Sequence, residues 1–112
     1  MQKITDAYLI WHRNLPNLSR LSRYTLGEKI DKLFTDTIEY ILLAGYTSKN
    51  QKLAVVDKAS TKLDSLKHFL FIANELKLLE DRKYLELATP LVEVGKQLGG
   101  WHKLLAQSAP KI

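Results

Sequence analysis

The stretch YLELATPLVEVGKQLGGWHKLL, residues 84–105, decides the fold. Its apolar residues recur alternately four and three positions apart, a spacing that places them on one face of an α-helix. The stripe consists of Leu87, Leu91, Val94, Leu98, Trp101 and Leu105. Because a helix with an apolar stripe along its full length is not stable alone in water, the stripe predicts partner helices.

Three further segments of the chain show the same helical periodicity, and turn residues separate them. We therefore predict an all-α fold, a single up-down four-helix-bundle domain over residues 1–112. The predicted helices span about residues 2–15, 25–46, 50–79 and 81–106. The predicted buried faces reach Leu42 in the second helix and Leu76 in the third. No segment has the alternating pattern of a β-strand.

Turn chemistry predicts where the first two helices end and begin. Pro16 should stop the first helix, because proline lacks an amide donor and its ring clashes with the preceding turn. Thr25 followed by Glu28 is a capping-box pattern and predicts the start of the second helix. In the connector between them, Ser19 and Ser22 are available as caps.

Pro90 interrupts the pattern of the fourth helix. The helix either kinks at this proline, or residues 81–89 form a separate short helix. We favour a kinked single helix, because the apolar stripe keeps its phase from Leu87 to Leu91.

Size and composition exclude several classes of protein. The chain has 112 residues, 46% of them apolar, and no cysteine, which fits one domain in a reducing cytoplasm. It has no apolar run long enough to span a bilayer and no secretion signal, so we expect no membrane association. The net charge is +5, and residues 48–79 contribute most of it, with six basic against three acidic side chains.

The sequence contains no pattern typical of catalysis, metal binding or cofactor binding. His12, His68 and His102 form no HxxxH or HExxH motif, and there is no glycine-rich phosphate loop. We therefore predict a protein that is not an enzyme and needs no metal or cofactor. Acidic residues have lysines at helical spacing instead, as Glu28 has Lys32 and Asp64 has Lys67. In the last helix Gly95 and Gly99 are expected to permit close helix packing, and Trp101 to lie in the core or a subunit interface.

Basic side chains are the best candidates for function, because a basic surface attracts polyanions such as nucleic acid. Lys58 and Lys62 are one turn apart and share a helix face, and we place Lys67 near that face. The alternative is that these residues only form a solvated surface. The candidate residues are Arg13, Arg20, Arg23, Lys49, Lys52, Lys58, Lys62 and Lys67.

Two motifs resemble a known family. RYTLGEKI at residues 23–30 and VGKQLGGW at residues 94–101, with KLDSLK at residues 62–67 between them, are similar to the accessory variability determinant (Avd) proteins of diversity-generating retroelements. That family is related to the four-helix-bundle proteins encoded in intervening sequences of 23S ribosomal RNA genes. The resemblance covers nearly the whole chain.

The resemblance implies a fold, partners and a role. Members form barrel-shaped homopentamers with a basic surface, bind the retroelement's reverse transcriptase and nucleic acid, and support the mutagenic copying of template RNA into cDNA without catalytic activity of their own. By position, Lys58, Lys62 and Lys67 are implied to contact the polymerase, RNA or DNA. Two alternatives stay open, namely an intervening-sequence-type bundle protein without a polymerase partner and a helical protein-interaction adaptor.

Overall fold

The computed structural model describes residues 2–108, and within them the chain forms helices and no strand. Helix α1 is Gln2–Asn14, α3 is Lys49–Glu75 and α4 is Asp81–Ser108. Helix α2 comprises residues 20–46, in three consecutive segments. These segments are the α-helical Arg20–Ser22, the π-helical Arg23–Gly27 and the α-helical Glu28–Tyr46. The all-α prediction is confirmed, whereas the predicted domain limits at residues 1 and 112 lie outside the described residues.

Consecutive helices run antiparallel, as two cross-helix contacts demonstrate for α2 and α3. Lys62 Nζ lies 3.5 Å from a carboxylate oxygen of Asp36, and Lys58 Nζ lies 6.0 Å from the ring centroid of Tyr40. From the first contact to the second, the residue number rises along α2, from Asp36 to Tyr40, and falls along α3, from Lys62 to Lys58, so the two helices run in opposite directions. The connection between these helices is two residues long, which is sufficient only for antiparallel neighbours.

The other helix pairs follow the same arrangement, and the molecule is an elongated bundle of 52 × 22 × 22 Å. Helix α4 returns along α3, with His102 beside Asp57 near one end. Helix α1 packs against both α2 and α4. Because α1 has only 13 residues, it covers part of the length of its neighbours.

The apolar stripe of α4 forms one wall of the core. Leu87, Leu91, Val94 and Leu98 are each no more than 1% exposed, and burying a leucine side chain contributes about 1.5–3 kcal/mol. The two last members of the stripe, Trp101 and Leu105, are partly buried at its edge.

Aromatic packing attaches α1 to α2. The Trp11 ring stacks on Phe34 with centroids 6.2 Å apart, and the Tyr8 ring meets Phe34 edge-on at 5.5 Å. Trp11 and Phe34 are fully buried. Such pairs add about 0.5–1.5 kcal/mol beyond the area they bury.

Two predicted core positions are wrong. Leu42 is 59% exposed and Leu76 is 60% exposed. Leu42 lies near the end of α2, and Leu76 follows the last residue of α3, where the helical periodicity no longer applies.

The capping-box prediction at Thr25 and Glu28 is also wrong. The helix begins at Arg20, with Ser19 as its N-cap, and the Ser19 hydroxyl accepts a hydrogen bond from the Ser22 amide at 3.2 Å. Thr25 lies inside the helix, where its hydroxyl donates to the Leu21 carbonyl at 2.8 Å. Since a hydroxyl engaged with the preceding turn cannot cap the next one, Thr25 is an interior residue.

Helix α3 ends four residues before the predicted position, at Glu75. Lys77 has a φ of 65°, the left-handed conformation that typically terminates helices. The amides of Leu78 and Lys77 donate to the carbonyls of Ala73 and Asn74, at 2.9 and 3.0 Å. These bonds form a Schellman motif, which stops α3 although the sequence lacks the usual glycine.

Helix α4 is continuous through Pro90, so the alternative of a separate short helix over residues 81–89 is wrong. At Asp81 the helix begins with an acidic residue, as the helix dipole favours. The carboxylate of Asp81 accepts a hydrogen bond from the Asn74 amide at 2.9 Å, which ties the start of α4 to the end of α3.

Candidate functional site

Three of the eight candidate cations lie around the connector between α1 and α2. Arg13 is in the last turn of α1, and Arg20 and Arg23 are in the first turn of α2. All three are exposed. Within residues 2–108 none of them forms an ion pair, so their guanidinium groups are available to a ligand.

The connector has this shape because Leu18 anchors it in the core, where only 6% of the residue is exposed. Leu15–Asn17 forms a 3₁₀ turn with Pro16 near its start. A Cβ on Gly27 would lie 3.1 Å from the Ser22 carbonyl oxygen and 3.4 Å from a methyl carbon of Leu18. Glycine at this position therefore lets the π-helical turn and the connector lie close together.

A surface groove of about 340 Å³, which we call the connector groove, lies beside this turn. It is lined by Leu15, Arg23, Tyr24, Gly27, Glu28, Asp31, Lys32 and Thr35. The positive charges of Arg23 and Lys32 are balanced by the carboxylates of Glu28 and Asp31. Tyr24 is one of the lining residues, and 61% of it is exposed.

Lys58 and Lys62 share a face of α3, as predicted, and the structure shows that this face meets α2. Lys58 Nζ lies near the limit of cation–π attraction to Tyr40, at 6.0 Å. Lys62 pairs with Asp36 at 3.5 Å. Asp36 also forms an ion pair with Lys32 at 3.2 Å. Lys32 was expected to pair with Glu28, one turn before it, and instead pairs with Asp36, one turn after it.

Lys67 does not lie near Lys58 and Lys62, which corrects the prediction. It lies against α4, where its Nζ would be 3.5 Å from a Cβ on Gly95. Lys67 follows Lys62 by five residues, which is more than one helical turn, and this offset rotates Lys67 away from the α2 side. Lys67 forms the predicted pair with Asp64, at 3.6 Å.

The two remaining lysines lie near the start of α3. Lys52 Nζ is 6.0 Å from the ring centroid of Trp101 on α4, and Lys49 is exposed. Seven of the eight candidates are therefore distributed over the connector, the α2 side of α3 and the α4 side of α3, and Lys49 is the first residue of α3.

The glycines of the last helix contribute little to packing within the bundle. A Cβ on Gly95 would make ordinary contacts with Lys67 and Leu63, at 3.5 and 3.6 Å. A Cβ on Gly99 would meet no atom within 4 Å. Close packing at Gly99 is thus not found between described helices of this chain.

The two sequence motifs lie in different parts of the structure. RYTLG forms the π-helical turn at the connector groove, and VGKQLGGW lies in the second half of α4. A family model described as bAvd-like matches residues 1–105. The chain belongs to the bAvd-like family. No curated protein and no solved structure matches it.

In this bAvd-like chain the histidines make ordinary contacts. His102 Nδ1 lies 2.6 Å from Asp57 Oδ1 across α3 and α4. The His12 ring is 6.1 Å from Tyr8, and the His68 ring stacks at 6.3 Å on Phe71. Within residues 2–108 no three histidine or acidic side chains are grouped so that they could hold a metal ion.

Over the same residues, no helix combines the length and apolar content needed to cross a bilayer.

A polar cluster under the connector groove of the bAvd-like protein was not predicted. The Trp11 indole donates to Asp31 at 3.2 Å. Burial raises the pKa of Tyr8 above its ordinary value of 10.0, and the interaction of its hydroxyl with the Asp31 carboxylate adds to the shift. Only the one-turn spacing of Tyr8 and Trp11 signalled that they share a face.

Proposed function

We propose that this protein is a non-catalytic accessory of a diversity-generating retroelement. In this role it binds the retroelement's reverse transcriptase and the template RNA or cDNA, and so supports mutagenic retrohoming in the cytoplasm. The family match over residues 1–105 carries the proposal. The three connector arginines, exposed and without ion pairs among the described residues, add support, because a polyanion needs accessible cations.

The proposed mechanism is electrostatic scaffolding by a homopentamer. Each subunit would contribute the same cations, so a ring of subunits presents them several times to one polymerase–RNA complex. Linked weak contacts raise the overall affinity, because after the first contact the others become intramolecular. The role requires no catalytic residue, metal or cofactor.

Co-expression with the cognate polymerase tests the partner. An affinity tag on the reverse transcriptase should co-purify this chain at low salt, and the complex should survive nuclease treatment if the contact is protein–protein. Complete separation of the two proteins at low salt contradicts the proposal.

Binding to nucleic acid is tested by its salt dependence. The logarithm of the association constant should fall linearly with the logarithm of the salt concentration, because each neutralised phosphate releases counterions. Affinity that is absent at low salt, or insensitive to salt, contradicts an electrostatic contact.

Light scattering coupled to size exclusion tests the assembly. A mass five times that of the 12.9 kDa chain supports the pentamer. A monomer at micromolar concentration contradicts it and removes the multivalent mechanism.

An adaptor that binds only proteins is the second candidate. The exposed apolar side chains favour it, in particular Tyr46 at 90% and Leu21 at 76% exposure, since such residues are common in protein interfaces. An adaptor, or an intervening-sequence-type protein without a polymerase partner, should fail the co-purification test. The adaptor should also show no salt-dependent retention on RNA or DNA.

A further inference from the structure

We infer that Arg20, Arg23 and Tyr24 form a binding site for single-stranded nucleic acid at the connector end of the bundle. The Tyr24 ring stacks on one base, and the two guanidinium groups contact neighbouring phosphates. The inference rests on the proposed function that the protein binds nucleic acid, and it adds the place and the strand form.

The three side chains lie together on the first turns of α2. Arg23 and Tyr24 follow Arg20 by three and four positions, the spacing that brings a side chain onto the same side of a helix as Arg20. The Arg23 amide donates to the Ser19 carbonyl at 2.9 Å, so the turn that presents them is hydrogen-bonded. All three side chains are exposed, and none makes an ion pair or ring contact within the described part of the chain.

The connector groove suits an uncharged base better than a phosphate. Its cations are balanced by Glu28 and Asp31, which would repel a phosphate placed inside. Leu15, Gly27 and Tyr24 supply the less polar part of its lining. Arg23 lines the groove beside Tyr24, whereas Arg20 lies outside it, so an approaching strand meets a guanidinium group both in the groove and next to it.

An exposed tyrosine ring selects for single strands. In a duplex the bases are already stacked and paired, whereas an unpaired strand can place a base on an aromatic ring. Every base has a π-face, so such a contact tolerates many sequences. The arrangement therefore fits an unpaired RNA or DNA strand of variable sequence.

The connector arginines are better placed for phosphate than four of the five candidate lysines. Lys62 and Lys67 are already paired with carboxylates. Lys52 and Lys58 lie over aromatic rings. Arginine also offers a planar fork of donors that can bind a phosphate through two hydrogen bonds, which lysine cannot do.

Fluorescence anisotropy on the full-length protein tests the site, with one labelled sequence offered as single-stranded RNA, single-stranded DNA and duplex. The wild type should bind at least one single strand more tightly than the duplex. Tyr24→Leu should weaken single-strand binding about tenfold, and Tyr24→Phe should retain it because the ring persists. Tyr46→Leu is the control, since it removes a more exposed tyrosine from the other end of α2.

The phosphate contacts are tested by the salt slope. The double variant Arg20→Gln/Arg23→Gln should reduce the single-strand slope by about 1.4, because each phosphate contributes about 0.7. The control Lys3→Gln/Lys103→Gln removes the same charge from exposed positions at the opposite end of the bundle and should leave the slope unchanged.

A base analogue, 2-aminopurine, placed in the strand reports stacking directly. Its fluorescence should be quenched by the wild type and by Tyr24→Phe, and not by Tyr24→Leu. Circular dichroism should give the same helicity for all variants, because the altered side chains are exposed.

The outcomes separate the inference from the proposed function. If the wild type binds nucleic acid and the Tyr24 and arginine variants bind as the controls do, the site is wrong and the proposed function stands. Equal binding of duplex and single strands also overturns the site. If the wild type binds no nucleic acid at low salt, the proposed nucleic-acid function fails, and this inference with it.

Discussion

The indole Nε1 of Trp11 donates a hydrogen bond to Oδ1 of Asp31, at 3.2 Å, and so joins α1 to α2. Trp11 is 1% exposed, whereas Asp31 lines the connector groove. The pair therefore connects the packed core to the candidate surface. A buried indole needs an acceptor, and the neighbouring helix supplies one that also remains in contact with solvent.

Removing this acceptor should destabilise the fold. Asp31→Ala leaves the Trp11 indole buried without its partner, which costs about 1–3 kcal/mol. Chemical denaturation with urea, followed by tryptophan fluorescence, measures the loss in the free energy of unfolding. Asp31→Asn keeps a carbonyl acceptor of nearly the same size and should recover most of the loss. Equal stability of the alanine variant and the wild type contradicts a structural role for the bond.

Stability should fall at alkaline pH through Tyr8. Because its pKa in the folded state is raised above 10.0, the folded protein holds the Tyr8 proton more tightly than the unfolded chain. The resulting stabilisation is fully present below pH 10 and is lost as pH rises through the folded-state pKa. The measurement is the difference in free energy of unfolding between wild type and Tyr8→Phe, followed from neutral pH upward. The difference should shift in favour of Tyr8→Phe above pH 10, and a constant difference contradicts the assignment.

Sequence periodicity was sufficient for the helices whose faces are buried along most of their length. The stripe from Leu87 to Leu98 is buried as predicted, because apolar burial and helical phase agree there. The ends were less predictable. Lys77 adopts the left-handed backbone conformation, which lysine rarely takes, so no local sequence pattern predicted the end of α3. At Thr25 the capping pattern was present, but Ser19 capped the helix earlier, and packing of Leu18 into the core favoured that start.

For the candidate site, spacing along one helix gave only part of the arrangement. It placed Lys58 and Lys62 on one face, whereas a shift of five residues turned Lys67 toward α4. The connector groove depends on how the connector folds over the π-helical turn. Helical periodicity in the sequence does not predict the contact between these two segments. Gly27 was the one signal in the sequence, since a glycine within a helical segment often marks a close contact.

Replacing Lys77 by glycine should stabilise the protein. A side chain in the left-handed conformation costs about 1 kcal/mol or slightly more, and glycine removes this cost. Thermal unfolding should show a higher midpoint for Lys77→Gly. Lys77→Ala is the matched control, because it removes the same charge but keeps a Cβ at the strained position, and it should not give the increase. A lower midpoint for the glycine variant contradicts the assigned conformation.

Pro90 should be the most costly residue of α4, because it removes the hydrogen bond to the carbonyl of Glu86, four residues before it, and crowds that turn. Pro90→Ala should restore the bond and raise the free energy of unfolding by up to about 3 kcal/mol. The gain is measured by urea unfolding. Thr89→Ala is the control for helix propensity alone, since Thr89 is exposed in the same turn, and its gain should stay below about 0.7 kcal/mol. If the two variants gain equally, the proline is already accommodated by the surrounding helices and imposes no strain on α4.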